Sequence, residues 1–193
     1  VRLILGTDEE CGSSDIAEEE AAARLAVYRE FAPEDMSVEQ IKEVIARVME
    51  LGLDSVAITD HGVMYGVIDF YKEARKNGIR PIIGCEVYVA PGSRFDKEGR
   101  DDNRYHHLVL LAENDTGYHN LMKIVSRGFT EGFYRKPRID FELLSAHTEG
   151  LICLSACGAG ELPQAILAGD LEGADAVVKR FKALFGDDYY VEI

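Results

Sequence analysis

The sequence contains no run of about 20 apolar residues, the length a helix needs to cross a bilayer, so nothing in its 193 residues predicts a membrane span. It also lacks a C-x-x-C pair. Its four cysteines, Cys11, Cys85, Cys153 and Cys157, have neither zinc-knuckle nor redox-pair spacing. A disulfide framework is not expected in a domain of this size. The simplest reading is reduced thiols in a cytoplasm, with Cys11, Cys85 and Cys153 acting as small buried apolar side chains. Residues 1–6 form a short apolar run followed at once by acids, unlike a signal peptide. Positive charge is scarce: 21 Lys and Arg face 35 Asp and Glu, for a formal charge of −14. Domains whose own surface clamps a phosphate backbone are usually basic, so that class is disfavoured, although local metal-assisted phosphate chemistry is not excluded. No internal repeat or low-complexity tract is present.

What is present suits one α/β domain with a single core. Residues 55–59, 82–89, 108–112 and 151–155 are near-continuous apolar runs, as expected of strands covered on both faces. Between them lie predicted helices. Residues 38–51 carry Ile41, Val44, Ile45 and Val48 on one stripe, with Ser37 and Gln40 as a capping box and Gly52 as a stop. Further helices are expected over 67–77, 116–127 with Thr116 as cap, 162–168 and 171–185. This alternation predicts parallel pairing with crossover helices, in an open doubly wound sheet or a barrel; the pattern does not separate the two. Residues 92–104 are expected as an exposed polar excursion and 132–140 as a second, locally basic loop. In that loop Arg135, Lys136 and Arg138 read either as solvated charges or as contacts to nucleic acid or a neighbouring domain.

Four places carry chemistry, each beside a strand of a different unit. Asp60-His61-Gly62 follows the strand 55–59 directly. A carboxylate and an imidazole turned by a glycine suit zinc, manganese or iron, while the plainer reading makes Asp60 a cap and His61 a surface residue. Glu86 sits inside an apolar strand, where a carboxylate is costly unless paired or metal-bound. His106-His107 precede the strand 108–112, and parity does not choose which one faces inward. Cys157 closes the segment 151–156, as a ligand or as a small buried thiol. Their convergence at one sheet edge is what a metallohydrolase needs.

From residue 54 onward the text becomes recognisable. SVAITDHGVMYGVIDFYKEARKNGIRPIIGCEVYVAPGSRFD, YHHLVLLAENDTGYHNLMKIVS, TEGFYRKPRIDFELL and EGLICLSACGAGELPQAILAGD resemble the PHP domain of DNA polymerase III alpha subunits. The likeness runs to Ile193 and, more weakly, back to about Leu25. It implies a distorted β/α barrel, here incomplete at both ends, with up to three divalent metal ions, zinc or manganese. By resemblance His61 and Asp60 fall on the second metal motif, Glu86 on the third, His107 on the histidine ahead of the next strand, and Cys157 on a cysteine ligand. Asp35 matches a further acidic ligand if the alignment is shifted by one residue. The implied activity is a metal-dependent 3′–5′ exonuclease or a structural role. The implied partners are primed template DNA, the replicative clamp and a proofreading subunit, with DNA synthesis in other domains.

Two departures stand out. The family's H-x-H positions fall on Ala26 and Tyr28, neither of which replaces a neutral imidazole, and the last D-x-H motif is expected beyond Ile193. Weak metal binding and little hydrolysis are therefore expected of this chain. Residues 1–15 separately resemble a short stretch of zinc dipeptidases and deacylases, with Glu9 and Glu10 on the paired acids; the alternative is a solvated acidic turn. The chain thus divides into an atypical segment 1–24, with 17–24 as a helical connector after a possible foreign junction, and a partial PHP domain 25–193. A free-standing phosphoesterase of histidinol-phosphatase type and a non-catalytic interaction module are the competing functions.

Overall fold

The structure, a computed structural model, describes residues 2–3, 37–97 and 105–192. The expectations for Asp35, Ala26, Tyr28, Glu9, Glu10, Cys11 and the connector 17–24 lie outside these residues. Strand β1 (Arg2–Leu3) is followed by α1 (Val38–Glu50), β2 (Ser55–His61), α2 (Val67–Lys76), β3 (Arg80–Val89) and β4 (His106–Ala112). Next come α3 (Asp115–Thr130), β5 (Phe133–Tyr134), β6 (Lys136–Ile139), α4 (Phe141–Ser145), β7 (Leu151–Leu154), α5 (Glu161–Leu167), α6 (Leu171–Phe185) and β8 (Tyr189–Tyr190).

Local chemistry sets these bounds. Ser37 Oγ accepts from the Gln40 N–H at 3.3 Å while Gln40 Oε1 accepts from the Ser37 N–H at 2.7 Å, the reciprocal capping box read from sequence. Asn114, not Thr116, caps α3, its Oδ1 accepting from the Gly117 N–H at 3.0 Å. That earlier start brings Gly117 so close to the carbonyl of Gly150 that a Cβ would sit 1.7 Å from its oxygen. Asp170 caps α6 in the same manner, through the Gly173 N–H.

The sheet runs in the order β1-β2-β3-β4-β7-β8, with β6 added to β3 and β5 to β6. Among the described residues no pairing joins β8 back to β1, so this is an open stretch of a barrel-like α/β sheet. β2 and β3 are parallel across the α2 crossover, as expected. The expectation of parallel pairing fails at β4, which is antiparallel to both β3 and β7. Among the described residues of the connection no helix stands between Val89 and His106, and a strand that follows without a helical crossover can pair antiparallel with the one before it. The expected loop 132–140 is also corrected. It folds as the hairpin β5–β6, with Phe133 opposite Pro137 and Tyr134 opposite Lys136, and β6 then runs parallel to β3.

Two apolar clusters hold the layers together. Ile41, Ile45 and Val48 of α1 pack with Phe70 and Ala74 of α2 over Val56 and Ile58 of β2. Helices α3 to α6 cover Val87, Leu108, Leu110 and Cys153 on the other strands. Each fully buried Ile, Leu or Phe side chain contributes about 1.5–3 kcal/mol. The expected exposed excursion after β3 is tied down at its start. Arg94 is only 3% exposed and bonds Asp140 Oδ1 at 2.9 Å and Glu131 Oε2 at 2.7 Å. Burial alone would lower the Arg94 pKa, but these bonds to Glu131 and Asp140 hold it above its ordinary value.

Candidate metal centre

The register assembles the site. His61, the last residue of β2, pairs with Glu86 on β3, and Tyr88 of β3 pairs with His107 on β4. Partners across a ladder share a face, and residues two apart on one strand share it too. His61, Glu86, Tyr88 and His107 therefore lie on one face, while Asp60, Cys85, Val89 and His106 lie on the other. The pairing decides what parity along one strand left open: His107 joins Glu86, and His106 turns towards α5 and α6.

The distances follow. His107 Nδ1 lies 2.7 Å from Glu86 Oε1, and His61 Nε2 lies 3.5 Å from Glu86 Oε2. One donor atom from each of the three lies within 4.8 Å of the others. Glu86 has no solvent exposure and the two imidazoles are half-buried, with ring centroids 5.5 Å apart. Exposed Cys157 approaches from a loop, its Sγ 3.8 Å from both Glu86 Oε1 and His107 Nδ1. The loop is fastened to β4, because the His107 N–H donates to the carbonyl of Ala159 at 3.1 Å.

The backbone bends sharply around these side chains. Gly62 has φ +71°, and a Cβ there would lie 2.7 Å from Pro137 Cγ and 3.0 Å from Tyr88 Cε2, so only glycine fits after His61. Among the described residues the non-glycine positions with positive φ are Arg135 (62°) and Ala156 (64°). They immediately precede Lys136 and Cys157. Such conformations cost on the order of 1–3 kcal/mol each and cluster at functional sites.

Of the five candidates, His61, Glu86 and His107 come together, Cys157 reaches Glu86 and His107 from its loop, and Asp60 does not join them. Asp60 faces away from the cluster and its Oδ2 accepts from the Gly66 N–H at 3.2 Å, where it shapes the turn into α2. Of the basic trio, Arg138 is corrected outright. It is 1% exposed, donating from its guanidinium to the carbonyls of Asp96 at 2.6 Å and Gly132 at 3.3 Å, so it cannot meet nucleic acid. Arg135 is exposed and Lys136 half-buried. Sequence reasoning passed over Tyr88 and Tyr105. The Tyr88 ring lies 5.2 Å from the His107 ring and 4.9 Å from that of Tyr105, and Tyr105 stacks on His107 at 5.9 Å. Tyr88 carried a signal, its parity with Glu86; Tyr105 carried none.

The donor set fits a divalent cation. Two imidazoles, a carboxylate and a thiol suit zinc, and without the thiol the remainder suits manganese as well. A fully buried carboxylate is stable only with a compensating charge, and both imidazoles turn towards Glu86. Among the described residues the other thiols are unsuited. Burial, with the charge of Asp60 adding to it, pushes the Cys85 thiol far up, and burial does the same to Cys153.

Comparison with known proteins shows the family. The sequence model of the PHP domain matches residues 29–193. The chain is 48% identical over 155 residues to the DNA polymerase III subunit alpha of Treponema pallidum, covering 79% of this chain and 13% of that protein. It is 48% identical over 158 residues to that of Chlamydia pneumoniae, covering 81% and 13%. For Thermus aquaticus the figures are 50% over 141 residues, 72% and 12%. The chain thus spans about an eighth of the length of these relatives. With the domain model matching most of its length, the chain belongs to the PHP domain family.

Proposed function

We propose that His61, Glu86, His107 and Cys157 hold one divalent metal ion, zinc or manganese, and that this chain serves a replicative DNA polymerase as its PHP domain. The observation that carries the metal reading is the approach of three donor atoms to within 4.8 Å around a fully buried carboxylate. When bound, the metal would activate water and neutralise phosphate charge. The chain's own residues do the rest. Glu86 is fixed between two strands, Tyr88 and Tyr105 restrict the tilt of His107, and Gly62 turns the chain so that His61 faces Glu86.

In this reading DNA synthesis belongs to other parts of a longer polymerase, in the cytoplasm, with primed template DNA, a clamp and a proofreading subunit as partners. The domain contributes a metal-dependent 3′–5′ exonuclease or a structural support. The family match begins at residue 29, and 1–24 is set apart on the reach of that match alone, since β1 pairs with β2 in the same sheet. Asp35 is kept as a further ligand candidate. Metal binding is weak and hydrolysis slow, because Ala26 and Tyr28 offer no imidazole at the positions the family resemblance assigns to two more ligands.

Competition of the chain against a chromophoric chelator tests this. We expect one zinc ion per chain with at least tenfold loss of affinity in His61→Ala. Unchanged affinity in that variant, or rapid chelator-sensitive DNA hydrolysis by the wild type, would overturn the reading.

A further inference from the structure

The geometry points to Lys136 as the side chain that anchors a substrate phosphate beside the metal centre, with Tyr88 as the platform that holds it there. The inference deepens the proposed metal centre and rests on it. Strand β6 pairs with β3 so that Arg138 is level with Tyr88 and Ile139 with Val89. Lys136 has the parity of Arg138 and so shares the sheet face of Tyr88 and Glu86. The Lys136 ammonium lies 5.6 Å from the centre of the Tyr88 ring, and that ring lies 5.2 Å from the ring of His107 and 6.2 Å from that of His61. The next residue, Pro137, packs on the turn after His61, as the blocked Cβ position of Gly62 shows. One aromatic ring therefore lies beside both imidazoles and carries a cation.

Two further features single out this lysine from its basic neighbours. Arg138 is buried against backbone carbonyls, and Arg135 is exposed at the hairpin tip. Arg135 occupies the left-handed region at φ 62°, and that turn sets the direction in which Lys136 leaves the hairpin. The chain also carries a net charge of −14, so a phosphate approaching this surface is repelled at long range. An ammonium held over the Tyr88 ring beside the metal centre offsets that repulsion where the phosphate comes to rest.

The test uses the full 193-residue chain loaded with manganese, with inorganic phosphate as the probe. Electron paramagnetic resonance of free manganese reports metal binding, and the 31P relaxation of phosphate reports its approach to the bound ion. Lys136→Ala is expected to weaken phosphate binding about tenfold, the scale of a lost charge-assisted hydrogen bond, with manganese affinity unchanged. Lys136→Arg should retain most of the binding. Lys179→Ala, on the exposed face of α6, removes the same charge elsewhere and should change nothing. Equal phosphate affinity in Lys136→Ala, or a parallel loss of manganese in that variant, would overturn the role of Lys136 while leaving the metal centre standing. Failure of the wild type to bind manganese would overturn the metal centre, and this inference with it.

Discussion

Glu86 is a carboxyl with no solvent exposure, and two imidazoles lie close to it. Glu86→Gln keeps the shape and removes the charge, so it should leave the fold intact and cut zinc affinity by more than tenfold, as read by chelator competition. Gly62→Ala acts differently. Its Cβ meets Pro137 and Tyr88 at a positive φ, so the variant should lose roughly 2–4 kcal/mol in urea denaturation. At this scale the sequence was partly legible. Glu86 stood out as an acid in an apolar strand, and it is buried with partners. The choice between His106 and His107 needed the antiparallel register with β3, which lies between strands and is invisible within either one. Asp60 lies on the opposite face of β2 from His61, because adjacent residues of a strand point opposite ways.

Among the elements, the hairpin β5–β6 and the start of the loop after β3 are locked by two buried arginines. Arg94 joins the loop to α3 through Glu131 and to α4 through Asp140, which also caps α4 by accepting from the Leu143 N–H. Arg94→Met should destabilise the chain by about 3–5 kcal/mol, because it leaves the buried Asp140 without its cation. Bonds from Arg127 and from Arg94 hold the Glu131 carboxyl below its ordinary value of 4.5. A depressed carboxyl contributes stability that is complete above its unfolded value and is lost as pH falls through the folded one. Urea midpoints measured from pH 5 downward should therefore fall less steeply in Glu131→Gln than in the wild type. Helices with a clean apolar stripe, such as α1, were readable almost to the residue. The hairpin was not, because its Arg138 is satisfied by the backbone carbonyls of Asp96 and Gly132, which lie outside the hairpin.

Across the whole molecule, strands distant in sequence bring their polar ends to one place on an acidic domain. Strand and helix alternation indicated an α/β sheet, and the motif text indicated the PHP family that the domain match shows. The direction of β4 was missed because apolar runs look alike in either orientation. If a metal joins β2, β3, β4 and the loop after β7, it stabilises the whole fold by mass action. Zinc at ten times its dissociation constant should then raise the melting temperature by about 3–6 °C, and Glu86→Gln should abolish the shift. The most direct test is X-ray absorption at the zinc edge of the zinc-loaded chain. The predicted first shell has nitrogen and oxygen at about 2.0–2.1 Å and one sulfur at about 2.3 Å, the sulfur vanishing in Cys157→Ser and the imidazole signal halving in His107→Ala. A sulfur-free shell of oxygens, indifferent to both substitutions, would contradict the assignment of the centre.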